Sequence, residues 1–288
     1  MTTFGVFTFA TDYSLGPAQL ARAVEDRGFE SLFLPEHSHI PVSRDTPYPG
    51  GGDLPKEYSH THDLFVALTA AAAATTKLKL ASGICLITEH HPVRLAKAIA
   101  SLDQLSGGRV ILGVGVGWNV EEMVNHGIPF KHRWQITRER ILAMKRIWAE
   151  DEAEFHGDHV NFDPVWSYPK PKQAGGPPVL IGANSSWVFD RIADYADGWM
   201  PILPMPGRVH EGIGLADGIE RLTRSVEKAG RSMSDIDLTL FGMGPDPAEV
   251  EKVISLGFNR VVFHVPPLEE AKVLRLLDRY QGLAAAFG

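Results

Sequence analysis

The chain has 288 residues, 44% of them hydrophobic, with 35 acidic against 28 basic side chains and a net charge of −7. That is ample apolar material for one large core, and without a basic block or aromatic-basic interleaving nucleic acid is not an expected partner. The single cysteine, Cys85, sits in an apolar run, which excludes an internal disulfide and fits a reducing compartment. Met1 to Ala10 shows no basic stretch followed by an apolar one, and Ala67 to Ala74 is too short to span a bilayer. The expectation is a cytoplasmic protein with no membrane partner.

In chain order, Phe4 to Ala10 reads as a strand, Pro17 to Arg27 as a helix and Ser31 to Leu34 as a strand. A long Pro- and Gly-rich loop follows, from Pro35 to about His60. Asp63 to Thr75 reads as a helix and Leu80 to Leu86 as a strand. Pro92 to Leu105 places Val93, Ala96, Ile99, Ala100 and Asp103 at helical spacing, the Gly107-Gly108 pair stops that helix, and Val110 to Val116 is apolar again. Trp134 to Trp148 carries Ile141, Met144, Ile147 and Trp148 on one stripe. Phe155 to Pro171 breaks the rhythm, with FHGDHVNF reading as a small hairpin turning at Gly157-Asp158. Pro178 to Ile181, Gly198 to Ile202, Leu238 to Phe241 and Arg260 to Val265 are further strands. They alternate with helices at Trp187 to Tyr195, Gly212 to Ala229, Ala248 to Leu256 and Glu269 to Tyr280. The count predicts an α/β fold, a (β/α)8 TIM barrel formed as a single domain over residues 1–288, with insertions after the second and fourth strands. An open doubly wound sheet is the less economical reading, because a G-x-G-x-x-G fingerprint would need glycine at Trp118 or Val120.

In such a barrel the chemistry belongs at the strand C-termini. The candidates are Glu36 and His37, Leu86 to His91, Gly117 to Glu122, and Gly182 to Ser186. Gly113, Gly115 and Gly117 alternate along one strand end, so either a flat cofactor lies on bare backbone there or the glycines serve tight barrel packing. In PVLIGANSSWVFDRI a strand runs into small residues and then a helix. A phosphate suits that turn, although Asn184 or Ser185 could equally be a helix cap.

The segments LFLPEHSHIP, LASGICLI, HPVRLAKAIASLDQLSGGRVILGVGVGW, PVLIGANS and ADGWMPI resemble those of the bacterial luciferase-like flavin and deazaflavin oxidoreductases, in particular the branch dependent on coenzyme F420. The resemblance runs in matching order from about Phe4 to Trp199. It implies a barrel in which Ser82, Gly83 and Ile84 form a bulge with a non-prolyl cis peptide at Gly83–Ile84 beneath the ring, next to Gly115 and Gly117. It further implies that Gly182, Ala183, Asn184 and Ser185 hold the cofactor phosphate. Glu36 and His37 would line the ring's pyrimidine end, with His37 as general acid or base or as a plain cofactor contact. Deazaflavin sugar dehydrogenases of this family carry a glutamate, their proposed proton donor, where this chain has Trp118, so sugar phosphates are not the expected substrate. Trp118 would make an aromatic wall for a small flat or hydrophobic substrate. Glu121 and Glu122 could still supply a carboxylate to that pocket, unless the pair only compensates a helix dipole.

The implied reaction is hydride transfer between C5 of F420 and an organic substrate, with His37 moving the proton and Ile40 to Tyr58 and Phe155 to Pro171 as lids. FMN in place of F420, as in a two-component monooxygenase, is the alternative; Lys170, Lys172, Arg191 and Arg208 are candidate cations for the acidic tail of F420. Two other readings are a catalytically silent partner subunit and a metal-dependent barrel hydrolase built on His37-Ser38-His39, His60-Thr61-His62 and His90-His91, although no metal is expected. Alanine-rich helices at Leu64 to Ala74 and Leu95 to Leu105 suggest a homodimer.

Overall fold

The computed structural model describes residues 1–203 and 213–287. Its strands are short and apolar on both faces: every residue of β2 (Ser31–Leu34) and β4 (Val110–Gly115) is buried. Such strands need cover on both sides, which parallel pairing with crossover helices provides. In order, the elements are β1 (Thr3–Phe7), α1 (Pro17–Asp26), β2, α2 (Glu57–His60), α3 (Leu64–Ala74), β3 (Lys79–Leu86), α4 (Pro92–Ser106), β4, α5 (Val120–Asn125) and α6 (Arg133–Ala149). A two-stranded hairpin of β5 (Ala153–His156) and β6 (Asn161–Val165) follows. Then come β7 (Val179–Ile181), α7 (Val188–Tyr195), β8 (Gly198–Trp199), α8 (Leu215–Lys228), β9 (Asp237–Met243), α9 (Pro247–Ser255), β10 (Arg260–His264) and α10 (Glu270–Ala285). The eight parallel strands close in the order β1-β2-β3-β4-β7-β8-β9-β10, so the molecule is a (β/α)8 barrel with insertions after β2 and β4.

The closure creates two apolar cores. Phe7, Phe33, Ala81, Ile111, Leu180, Met200, Phe241 and Val262 fill the lumen. The opposite strand faces, with Leu32, Leu80, Leu112 and Phe263, pack on helix residues such as Ile99, Ile141 and Phe189. Each such side chain, fully buried, stabilises the fold by about 1.5–3 kcal/mol. Helix α4 begins with Pro92 and ends at Gly107, whose φ of 79° lets the backbone turn so that Gly108 N–H reaches Asp103 O at 2.8 Å.

Several boundaries differ from those read in the sequence. Only two residues of the expected Gly198 to Ile202 strand pair along their length, with Ile202 forming an isolated bridge to Phe241. The last helix continues beyond Tyr280 to Ala285, because its buried stripe ends at Tyr280 while the alanine-rich tail still favours helix. Gly212, the expected start of α8, lies outside the described residues. Ala67, Ala71 and Ala72 of α3 are buried within the chain, so that part of the small-residue stripe serves internal packing. No helix among the described residues is long and apolar enough to cross a membrane.

Candidate active site

At the C-terminal ends of the strands a cavity of about 330 Å³ opens, lined mainly by aromatic and glycine residues. Phe7 and Phe241, whose ring centroids lie 4.4 Å apart, close it toward the lumen. Beside them the pairing of β3 with β4 slips between Ser82 and Cys85, and the Gly83–Ile84 peptide there is cis. Ser82 anchors this bulge by donating its hydroxyl to Gly113 O at 2.7 Å, and it does not line the cavity, whereas Gly83 and Ile84 do.

The bulge also explains the alternating glycines. A Cβ on Gly113 would collide with Ser82 O, and one on Gly115 with Ile84 Cδ1. These two positions are therefore packing glycines, and the space expected for a flat ligand at Gly115 is taken by Ile84. Gly117, at φ 74°, is the member of the run that reaches the cavity. Across from it Gly182 and Ala183 line the wall, and a Cβ on Gly182 would come within 2.7 Å of Ile84 Cγ2. Asn184 turns away: its Nδ2 donates to Ile202 O at 2.7 Å and its Oδ1 accepts from Ile202 N–H at 3.0 Å. Ser185 is exposed. The helix starts at Val188 after Trp187 without a side-chain cap, so neither Asn184 nor Ser185 caps it.

The two residues after β2 are both held. Glu36, 6% exposed, accepts Leu86 N–H at 2.7 Å and His90 Nε2–H at 2.8 Å. Burial works against a charged His90, yet the Glu36 bond and charge overcome it and raise its pKa. His37 lines the cavity, and its Nδ1 lies 2.9 and 3.0 Å from the two oxygens of Glu122. Burial pushes the His37 pKa down to about 4 despite nearby Glu89 and Glu36, so the imidazole is neutral at neutral pH. The carboxylate partner favours the Nδ1–H tautomer, which leaves Nε2 as the nitrogen available to the cavity.

Glu121, expected in the pocket, lies outside the cavity lining. It accepts Thr46 N–H at 2.8 Å and ties the long loop to the start of α5. Its neighbour Glu122 points inward because Asn119 Oδ1 caps the Glu122 N–H at 3.0 Å, fixing the helix start, and consecutive helical side chains diverge by about 100°. Burial raises the Glu122 pKa to about 7, with the Glu36 charge adding to it.

The long loop supplies an aromatic wall that the sequence reading had not picked out residue by residue. Tyr48 and Tyr58 approach Trp118 at 5.9 and 6.4 Å between centroids, and Tyr58 stands 5.3 Å from His37. Two aromatics within a long loop after a barrel strand were the available signal. The second expected lid is misplaced: residues 155–171 contribute nothing to the cavity lining. Their hairpin packs beside α6, where Glu139 accepts the N–H groups of His159 and Val160. The candidate cations divide similarly. Lys170 donates to Ile147 O and Lys172 packs by Gly108, both at the end where strands begin. Arg191 stacks 4.1 Å over Trp134, a cavity residue, and Arg208 lies outside the described residues.

The histidine pairs do not converge. His37 binds Glu122, His39 binds Ser38, His60 binds Asp12 and His90 binds Glu36. Among the described residues, Glu36, Cys85 and His90 form one close group of donor atoms and His37, Glu89 and Glu122 another. Both are internally hydrogen-bonded, and burial keeps the Cys85 thiol protonated.

Comparison with known proteins agrees with this architecture. The family model for luciferase-like monooxygenases matches residues 4–275. An uncharacterized protein of Mycobacterium tuberculosis is 38% identical over 266 residues, covering 91% of this chain and 92% of that one. An F420-dependent glucose-6-phosphate dehydrogenase of Nakamurella multipartita is 27% identical over 239 residues, 79% of this chain and 63% of that protein. An FMNH2-dependent dimethylsulfone monooxygenase of Pseudomonas putida is 34% identical over 139 residues, 47% of this chain and 38% of that protein. Among solved structures, the monooxygenase RslO1 of Streptomyces bottropensis superposes with a TM-score of 0.78 at 18% identity, covering 99% of each chain. An F420-dependent secondary alcohol dehydrogenase bound to an F420-acetone adduct gives 0.74 at 19% identity over 98% of each. The chain belongs to the luciferase-like monooxygenase family, whose members include F420- and FMN-dependent oxidoreductases and monooxygenases.

Proposed function

We propose that this chain is a coenzyme F420-dependent oxidoreductase that passes hydride between the deazaflavin ring and a small, flat or apolar organic substrate. The observation carrying this reading is the aromatic cavity with a buried, neutral His37 whose Nδ1 is held by Glu122. The match to the F420-dependent relative also extends over more of the chain than the match to the FMNH2-dependent one.

The residues fit the group. Gly83, Gly117 and Gly182 open flat backbone into the cavity, and Ile84 rises between them as a shelf for a ring. Glu36 borders the ring end, and Gly182 and Ala183, with Asn184 and Ser185 following, form the turn for the phosphate. When bound, the coenzyme supplies a carbon centre that carries hydride without activating dioxygen. His37 takes or returns the substrate proton at Nε2, and Glu122 holds the ring in the required tautomer. Trp118, Tyr48 and Tyr58 orient the substrate and keep water out. Trp118 in place of the sugar dehydrogenases' glutamate directs the pocket away from sugar phosphates.

The test is a fluorescence titration of the purified protein with F420 and, in parallel, FMN, repeated on Gly182→Trp. Tight binding of F420 that the variant loses is the expected result. Preference for FMN would transfer the site to a monooxygenase, and binding of neither would overturn both readings.

A further inference from the structure

Behind His37 a line of polar groups runs away from the cavity. Glu122 and Glu89 face one another as a close pair of carboxyl groups, each side chain only 2% exposed. The donor atoms of His37, Glu89 and Glu122 all lie within 4.8 Å of one another. On its far side Glu89 accepts Ser38 N–H at 3.3 Å and stands 3.5 Å from His126 Nε2. Ser38 Oγ lies 2.7 Å from His126 Nε2 and 2.9 Å from His39 Nδ1, and His39 Nε2 accepts from Asn125 Nδ2 at 2.8 Å. His39 and His126 are half-buried and reach solvent.

The hydrogen bonds have a consistent sense. Asn125 donates to His39 Nε2, which leaves His39 Nδ1–H to donate to Ser38 Oγ and the Ser38 hydroxyl to donate to His126 Nε2. His126 Nε2 is then an acceptor facing Glu89. Two carboxyl groups so close in a dry interior cannot both be charged, so they share a proton. The remaining charged neighbours are otherwise engaged: Glu36 pairs with His90, and Arg140 donates to the carbonyls of Ile87 and Thr88.

We propose that Glu122, Glu89, His126 and Ser38 form a proton relay from His37 to the surface, with the carboxyl pair storing the proton in transit. In turnover the relay rests on the hydride-transfer reading. When a substrate hydroxyl is oxidised, its C–H bond breaks with the electron pair leaving as hydride for the coenzyme. The O–H electron pair becomes the second C–O bond, and the proton goes to His37 Nε2. His37 passes its Nδ1 proton to Glu122 while Glu89 hands its own to His126 Nε2, from which the Ser38 hydroxyl turns away, and His126 gives its Nδ1 proton to water, so one proton leaves per hydride. Reduction runs the line in reverse. Glu89, Glu122, His126 and Ser38 are positioning residues, since only His37 meets the substrate.

Infrared difference spectra of the cofactor-free protein across pH test the storage step independently of any cofactor. Burial with the Glu122 and Glu36 charges raises Glu89 to about 8, and burial raises Glu122 to about 7. A protonated carboxyl band that disappears over that range, and whose titration shifts in Glu89→Gln, is expected; wild-type protein with no such band overturns the relay. In the coenzyme-loaded protein, Glu89→Gln and Glu122→Gln are each expected to lower turnover by about 10–100-fold with KM and coenzyme affinity kept and the pH profile flattened. Added imidazole or azide should restore the rate. Unchanged turnover, or a loss that no diffusible buffer restores, overturns the relay. If wild-type protein binds no deazaflavin, the hydride reading fails while the infrared result still decides whether the pair stores a proton.

Discussion

At the end where the strands begin, Arg260 and Arg109 are each held by acceptors. Arg260, 5% exposed, holds Glu30 at 2.9 Å on one side and Asp237 at 3.0 Å on the other. Arg109 spends its guanidinium on the carbonyls of Ala72, Thr75, Leu78 and Ser106. At the end where the strands finish, the buried carboxyls of Glu89 and Glu122 face each other, with a neutral imidazole between them and the cavity. The same barrel thus closes one end with matched charge and leaves a mismatch at the other. Matched pairs hold structure, whereas a mismatch shifts pKa values toward neutrality, where protons can move.

The largest expected effect that would break this contrast is at the matched end. Arg260→Met leaves the half-buried Glu30 with Lys79 alone and the half-buried Asp237 without its cation, and should cost about 3 kcal/mol in chemical denaturation, with coenzyme affinity unchanged. The pH dependence follows the same residue. Burial favours a neutral Glu30, but bonds and charge from Arg260, joined by Lys79, hold its pKa down to about 2. A depressed carboxyl contributes stability above its unfolded value of 4.5 and loses it as pH falls toward about 2. That acid slope should be shallower in Arg260→Met.

At the mismatched end the sign reverses. Glu89 is raised, so its contribution is fully present below 4.5 and is lost as pH rises through about 8. Glu89→Gln should therefore be more stable than wild type near pH 8, by about 1–3 kcal/mol in urea unfolding. A destabilised variant there would contradict the stored-charge account. A smaller effect is expected for Trp118→Ala, which opens the aromatic wall formed with Tyr48 and Tyr58 and should raise KM by about tenfold with little change in stability. Glu121→Gln should be least consequential, changing stability by under about 0.5 kcal/mol, because the Thr46 N–H that Glu121 accepts belongs to a surface loop.

Much of the barrel was legible because its signals are local. Continuous apolar runs such as Val110 to Val116 have no alternation to hide a solvent face, and Gly107-Gly108 stops α4 where the next strand must begin. Glu36 and His37, read as candidates from their place directly after a strand, both line the cavity. What escaped was settled by contacts distant in sequence. Whether Glu121 or Glu122 faces inward depends on one helical step fixed by Asn119, and the charge on Glu122 depends on Glu89, 33 positions before it in the numbering. The glycine run reads as bare backbone until Ile84, brought over by the bulge in the neighbouring strand, fills the place beside Gly115. The hairpin of residues 155–171 was legible as an insertion, but its docking on α6 through Glu139 was not.

The most direct measurement is a crystal structure of the protein grown with F420. The deazaflavin ring is expected against Gly83 and Ile84, with its phosphate at the turn after β7 and its open face toward His37 and Trp118. A ring bound anywhere else, or a cavity that stays empty in protein saturated with the coenzyme, would contradict it.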